Sequence, residues 1–175
     1  GPLQPIRFPA LLCADMTRCV QVAVLCALFV AMCNGEVVDV KVTDCCDATC
    51  KGTIKQLNYP PTATVPGILK SNGTGTLDID VTDVKMELTV TLSGVRIMDK
   101  TQDACGHMHV DFPLGLGSVD VDALKGCPAK TGPIEVDISI DNKIKLPGPV
   151  KSKSVSKDQD GNMLLCLEVD ITPQK

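Results

Sequence analysis

From Glu36 onward, apolar and polar residues alternate with a period of two along much of this chain. Val38, Val40 and Val42 alternate with Asp39 and Lys41; Leu77, Ile79 and Val81 alternate with Asp78, Asp80 and Thr82. Met86, Leu88, Val90 and Leu92 repeat the pattern against Lys85, Glu87, Thr89 and Thr91. The cleanest run sets Ile134, Val136, Ile138 and Ile140 against Glu135, Asp137, Ser139 and Asp141. Successive side chains of a strand point to opposite faces, so each run predicts a strand with one dry face and one wet face. A last strand carries Met163, Leu165, Leu167, Val169 and Ile171 on its dry face. Just before it, Asp160-Gly161 supplies the positive φ of a tight hairpin.

The interruptions are as informative as the runs. Thr53 to Tyr59 makes a less regular strand that Pro60-Pro61 terminates, since proline donates nothing to a ladder. Val65-Pro66-Gly67 and Ser71-Asn72-Gly73 read as turns. At Ser93-Gly94 the apolar parity changes, with Val95 and Ile97 next in line, which predicts a bulge or a tight turn. Val110, Phe112 and Leu114 suit a strand or a pocket-lining loop, and Gly115-Leu116-Gly117-Ser118 reads as loop. Val150 to Lys157 reads as a polar edge strand whose lysines discourage edge pairing. Seven or eight short strands without a helical period predict an all-β, immunoglobulin-like antiparallel β-sandwich.

The N-terminal part has another character. Met16-Thr17-Arg18, the apolar run Val20 to Met32 and the small residues near Cys33-Asn34-Gly35 have the layout of a secretory signal peptide. The run is shorter than the ~20 residues of a spanning helix. Residues 1–15 then read as leader or vector-derived, 16–35 as signal peptide and 36–175 as the domain. Trimming to residue 36 leaves Cys45, Cys46, Cys50, Cys105, Cys127 and Cys166, an even set expected of a disulfide framework in an oxidising compartment. It also removes Arg7, Arg18 and Asp15, moving the formal charge of −4 to −5. An acidic domain without a basic run excludes nucleic acid as a partner. Asn72-Gly73-Thr74 is a glycosylation sequon.

Catalytic chemistry finds little to stand on. No Gly-x-Ser-x-Gly, P-loop or His-Glu-x-x-His occurs. His107 and His109 share one side of a strand, but no cysteine or carboxylate accompanies them at ligand spacing, so no metal or other cofactor is expected. Asp158 to Asn162 superficially suggests a calcium loop, but its glycine falls too early and the closing glutamate is missing, so it reads as a hairpin. Lys143, Lys145, Lys151 and Lys153 read as a solvated edge, with anionic lipid head groups as the alternative contact. The expectation is a non-enzyme.

Four stretches point further: Val-Asp-Val-Lys-Val-Thr-Asp-Cys ending at Cys45, Gly52-Thr53-Ile54-Lys55, Lys125-Gly126-Cys127-Pro128, and Asp160-Gly161 leading to Leu165-Cys166. In this order and spacing the chain resembles the MD-2-related lipid-recognition (ML) family over most of residues 36 to 175, nearest in pattern to the Niemann-Pick C2 sterol carriers and the group 2 mite allergens. The resemblance implies that Cys45 pairs with Cys166 and Cys105 with Cys127, leaving Cys46 and Cys50 as a local pair. It implies two splayed sheets with an apolar cavity between them. The candidate lining is Val90, Leu92, Val95, Ile97, Phe112, Leu114, Ile134, Val136, Ile138, Leu165, Leu167 and Val169, with Phe112 as the gate. Such aliphatic walls offer a ligand no hydrogen bonds. The chain departs from the family in lacking cysteine between Pro60 and Lys70, and in having only Tyr59 and Phe112 as aromatics after residue 35.

The function this implies is a secreted, or lysosomal, monomeric carrier of a sterol or similar apolar lipid, docking on membranes or a receptor for transfer. One alternative is an innate-immune recognition protein presenting lipid A or another anionic lipid to a receptor. A third is an interaction domain with a filled core and no lipid.

Overall fold

The computed structural model describes residues 35–174. The expected leader and signal peptide lie outside these residues, apart from Gly35. The described chain forms eleven strands: β1 (Glu36–Asp44), β2 (Gly52–Asn58), β3 (Thr62–Val65), β4 (Gly67–Leu77), β5 (Val84–Leu92), β6 (Val95–Asp103), β7 (His107–Phe112), β8 (Gly117–Asp122), β9 (Gly132–Asn142), β10 (Val150–Asp158) and β11 (Met163–Pro173). One sheet has the order β3-β1-β11-β10-β5-β6 and the other β2-β4-β9-β8-β7. Every pairing is antiparallel. This is the expected sandwich, and the dry faces of the predicted strands meet inside it. Val38, Val65, Val81, Val90, Val110 and Leu164 are almost wholly enclosed.

Four segments differ from their expected form, each for a physical reason. Ser71-Asn72-Gly73 is the middle of β4, not a turn. Its small residues lie in a fully paired strand between β2 and β9, where neighbouring backbones supply the order that its side chains do not. Leu77, Ile79 and Val81 do not form a strand: β4 ends at Leu77, and the chain crosses to the other sheet, with Val81 meeting Ala129 in an isolated bridge. Asp80 anchors this crossover to the start of β9. Its carboxylate accepts from the Thr131 N–H at 2.9 Å and from Lys130 Nζ at 2.6 Å. The Lys130 ammonium and the Thr131 donors pull the Asp80 pKa down to about 2.

Gly117 and Ser118 belong to β8, which returns against β7 and pairs on its far side with β9. The fourth difference is β10, which is no edge. It lies between β11 and β5, near the middle of its sheet. Its lysines point to the wet face and meet carboxylates on the neighbouring strands: Lys151 with Asp170 at 3.3 Å, Lys153 with Glu168 at 3.5 Å, and Lys157 with Glu87 at 2.6 Å. Opposite charges across a ladder make a lysine-rich strand acceptable in the interior of a sheet.

The turns predicted at Ser93-Gly94 and Asp160-Gly161 form. Ser93 and Gly94 have φ of 50° and 83°, the pair of positive values that a two-residue hairpin requires. The register of β5 on β6 also shifts after Val90, so a bulge accompanies the turn. Between β10 and β11, Gly161 has φ of 82°. There the nearly buried Asp158 carboxylate accepts from the N–H groups of Asp160 at 2.9 Å and Asn162 at 2.7 Å, and from the Asn162 amide at 2.9 Å.

All three disulfides form as the resemblance implied. Cys45–Cys166 fastens the end of β1 to β11, Cys105–Cys127 ties the β6–β7 connection to the β8–β9 connection, and Cys46–Cys50 closes a short loop.

Candidate functional site

The two inner faces leave a slot between them. On the first sheet, cross-strand neighbours form three rows: Val90–Ser152–Val169, Leu88–Ser154–Leu167 and Met86–Ser156–Leu165. The centre of this wall is a shallow trough, because small serines of β10 run between two columns of larger aliphatic residues. On the facing sheet Ile134, Val136, Ile138 and Ile140 of β9 project inward beside Val119 and Val121 of β8 and Met108 of β7. Opposite Val136 and Ile134 on the next strand are Gly73 and Gly75 of β4. Bulk is therefore missing from the middle of both walls, and that is why the sheets do not close on each other there.

The space amounts to about 830 Å³ counted out to its open mouth, and only about 70 Å³ of it is wide enough to seat the centre of a water molecule. It is a narrow slot, not a wide chamber. Among the described residues, no lysine, arginine, histidine or carboxylate lines it.

Six of the twelve sequence-predicted lining residues come together here: Ile134, Val136, Ile138, Leu165, Leu167 and Val169. Val90 sits on the same inner face but is packed into the core. Ile97 and Phe112 are half-buried against the core without lining the slot, and Leu92 is half-buried at the end of β5. Val95 and Leu114 lie outside, 66% and 79% exposed. Val95 starts β6 directly after the tight turn, and Leu114 occupies the tip of the β7–β8 hairpin with a positive φ of 61°. Their apolar character alone does not fix a face, because each stands where alternation restarts.

The sequence list omitted Met86 and Leu88, although they share the alternation of Val90. It also omitted Ile54 and Leu57 of β2, whose strand bulges after Ile54 and loses its period. The serine trough carried a legible signal, the Lys/Ser alternation of residues 151–157, broken only by Val155, which is two-faced once serine is allowed to be the inner residue. The expectation of walls without hydrogen-bonding groups is corrected by these hydroxyls.

On the outer face of β7 and β8 the sheet brings carboxylates to the two histidines that the linear spacing left alone. His107 Nδ1 lies 3.0 Å from Asp122, His109 Nδ1 lies 2.7 Å from Asp120, and His109 Nε2 lies 3.4 Å from Asp111. His107 Nε2 also faces Asp120 at 3.4 Å. The result is a ladder of alternating carboxylate and imidazole. The hydrogen bond to Asp120 holds the His109 pKa above its ordinary value. Among the described residues no group of histidine, cysteine and carboxylate side chains has the geometry to hold a metal ion.

The family model described as ML domain matches residues 39–172. No curated protein matches the chain significantly. Among solved structures, chicken MD-1 complexed with lipid IVa is 12% identical, with a TM-score of 0.49 over 82% of this chain and 96% of that one. A Niemann-Pick type C2 protein from Japanese carpenter ant is also 12% identical, with a TM-score of 0.41 over 78% of this chain and 90% of that one. With the family match running from within β1 to within β11, through both sheets and all three disulfides, this chain belongs to the ML-domain family.

Proposed function

We propose that this protein is a secreted lipid carrier that takes a sterol or a similar apolar lipid between its two sheets. The observation that carries this reading is the slot, walled by valine, leucine, isoleucine and methionine from both sheets and emptied of bulk at its centre by Gly73, Gly75 and the β10 serines. Membership of the ML family supports lipid binding or recognition in general. The absence of charge from the described lining favours an uncharged ligand over an anionic one such as lipid A, since an unpaired head-group charge in such a place is costly.

Loading follows from the dimensions. A lipid is wider than the slot, so it enters by parting the walls, and each CH₂ it removes from water contributes roughly 0.8 kcal/mol toward that separation. The outer faces keep their charges in solvent throughout, and the Cys105–Cys127 link holds neighbouring connections while the sheets move. Residues 16–35 act as the removable signal peptide. Asn72, exposed on the outer face of β4, is the site for a glycan.

The test is titration of the delipidated protein with a fluorescent sterol, followed by sterol transfer between donor and acceptor vesicles. Saturable one-to-one binding with accelerated transfer is expected. A folded, lipid-free protein that binds neither the sterol nor a fluorescent fatty-acid probe contradicts the proposal.

A further inference from the structure

The β10 serines sit where a purely hydrocarbon ligand has no use for them. Ser152, Ser154 and Ser156 follow one another at every second residue on the inner face, each flanked in its row by two large aliphatic side chains. Ser154 Oγ makes a long contact of 3.4 Å to the Leu167 carbonyl. Ser156 is only 8% exposed, and its hydroxyl makes no hydrogen bond to another described residue. No polar side-chain atom sealed from solvent lacks a partner among the described residues, so the Ser156 hydroxyl faces open space; the residue lines the slot and also borders a smaller cavity beside Leu77, Leu124 and Leu164. An apolar guest lying over this trough would strip water from the hydroxyls and return nothing, the costly way to bury a polar group.

We propose that the natural ligand carries an uncharged oxygen, as hydroxyl, carbonyl or ester, on the part that lies inside the slot, and that the Ser152, Ser154 and Ser156 hydroxyls read it. This rests on the carrier reading and narrows it from any apolar lipid to an oxygen-bearing one. A hydroxyl can donate or accept, so the trough accommodates either kind of oxygen. A charged group is disfavoured because the described lining holds no counter-charge. Neighbouring serines spaced along the trough let the oxygen settle at more than one depth, so the site selects a functional group more sharply than a chain length.

The experiment compares ligands that differ by one hydroxyl, in a ring pair (cholestanol and cholestane) and a chain pair (octadecanol and octadecane). Binding is read by displacement of a fluorescent apolar probe from the delipidated protein and from the triple variant S152A/S154A/S156A. Alanine keeps the trough open and removes only the oxygens. One or two hydrogen bonds of ordinary strength correspond to a preference of about 5- to 30-fold for the alcohol in at least one pair. The triple variant, shown folded by circular dichroism, is expected to lose the preference and bind the alcohol no more tightly than the hydrocarbon, since the alcohol's own hydroxyl is then buried without a partner.

Equal binding of both members by the parent protein, or a preference that survives in the triple variant, overturns the serine proposal and leaves the carrier reading standing. Binding of none of the four ligands by the parent overturns the carrier reading, and this proposal falls with it.

Discussion

Val136 offers the sharpest handle on the slot, because a charge placed there meets the guest directly. Its side chain projects from β9 into the slot and is about nine-tenths buried, beside Ile134 and Ile138 on the same face. Val136→Asp puts a carboxylate where the described lining supplies no partner. When a lipid covers it, the carboxyl escapes burial as an ion by taking a proton. At pH 7 that means protonating a group with an ordinary pKa of about 3.9, at about 1.36 kcal/mol per pH unit, or roughly 4 kcal/mol. The expected loss is therefore about a thousand-fold in affinity at pH 7, shrinking roughly tenfold for each unit of acidification until the carboxyl is neutral.

Val136→Asn has nearly the same shape and does not titrate, so its loss should be smaller and flat with pH. The assay is fluorescent-sterol binding from pH 4.5 to 7.5, with near-ultraviolet circular dichroism to verify folding. A folded Val136→Asp protein that binds within about fivefold of the parent at pH 7, or an Asn variant with the same pH profile, would refute the placement of Val136 against the ligand.

Three further outcomes are expected. Removing the Cys45–Cys166 link by paired alanine substitution frees a sequence separation of 121 residues and should lower stability by up to about 4 to 5 kcal/mol, read as a lower denaturation midpoint. Asp158→Ala removes the acceptor of three hydrogen bonds in the β10–β11 hairpin and should cost about 2 to 3 kcal/mol by the same measurement. Burial pushes the Asp158 pKa up, but donation from Asn162, Asp160 and Gly161 outweighs it and leaves the pKa lowered; its stabilisation is thus present above the usual carboxylate range and lost as pH falls through the depressed value. His109 has a raised pKa, so its contribution is complete below the unfolded value near 6.5 and disappears as pH rises through the folded value; an NMR titration should place its pKa above ~6.5, and Asp120→Asn should bring it down.

The parts of this fold that could be read from the chain are those where burial alone decides the side chain. In β1, β5 and β9 one face is protein and the other water, so hydrophobicity alternates and the strand shows; β11 alternates from Leu167 onward, while Leu164 and Cys166 of its opposite face are buried too. β4 hides because Ser71, Gly73 and Gly75 are inner residues that leave room; small residues in a paired strand have the composition of a turn. The same economy disguised β10: its inner residues are serines, so both faces look wet and the strand reads as an edge. The crossover at residues 78–83 failed in the opposite way, since Val81 is wholly buried from a segment whose strand-like pairing is a single bridge to Ala129.

The site follows the same division. The aliphatic walls from β9 and β11 were legible, while the small and polar residues that make space between them were not. A cavity is formed by what is missing, and hydrophobic periodicity records only what is present. The histidine ladder was invisible for a different reason: Asp120 and Asp122 come alongside His107 and His109 only through the β7–β8 register, a pairing that no local pattern announces.

The most direct measurement is photo-crosslinking of the delipidated protein with a diazirine-bearing sterol, followed by peptide mapping. Adducts concentrated on residues 134–140 of β9, 152–156 of β10 and 165–169 of β11, and abolished by unlabelled sterol, are the predicted result. Adducts confined to the outer faces, such as the β7–β8 histidine ladder, or labelling that excess unlabelled sterol does not suppress, would contradict a guest held between the sheets.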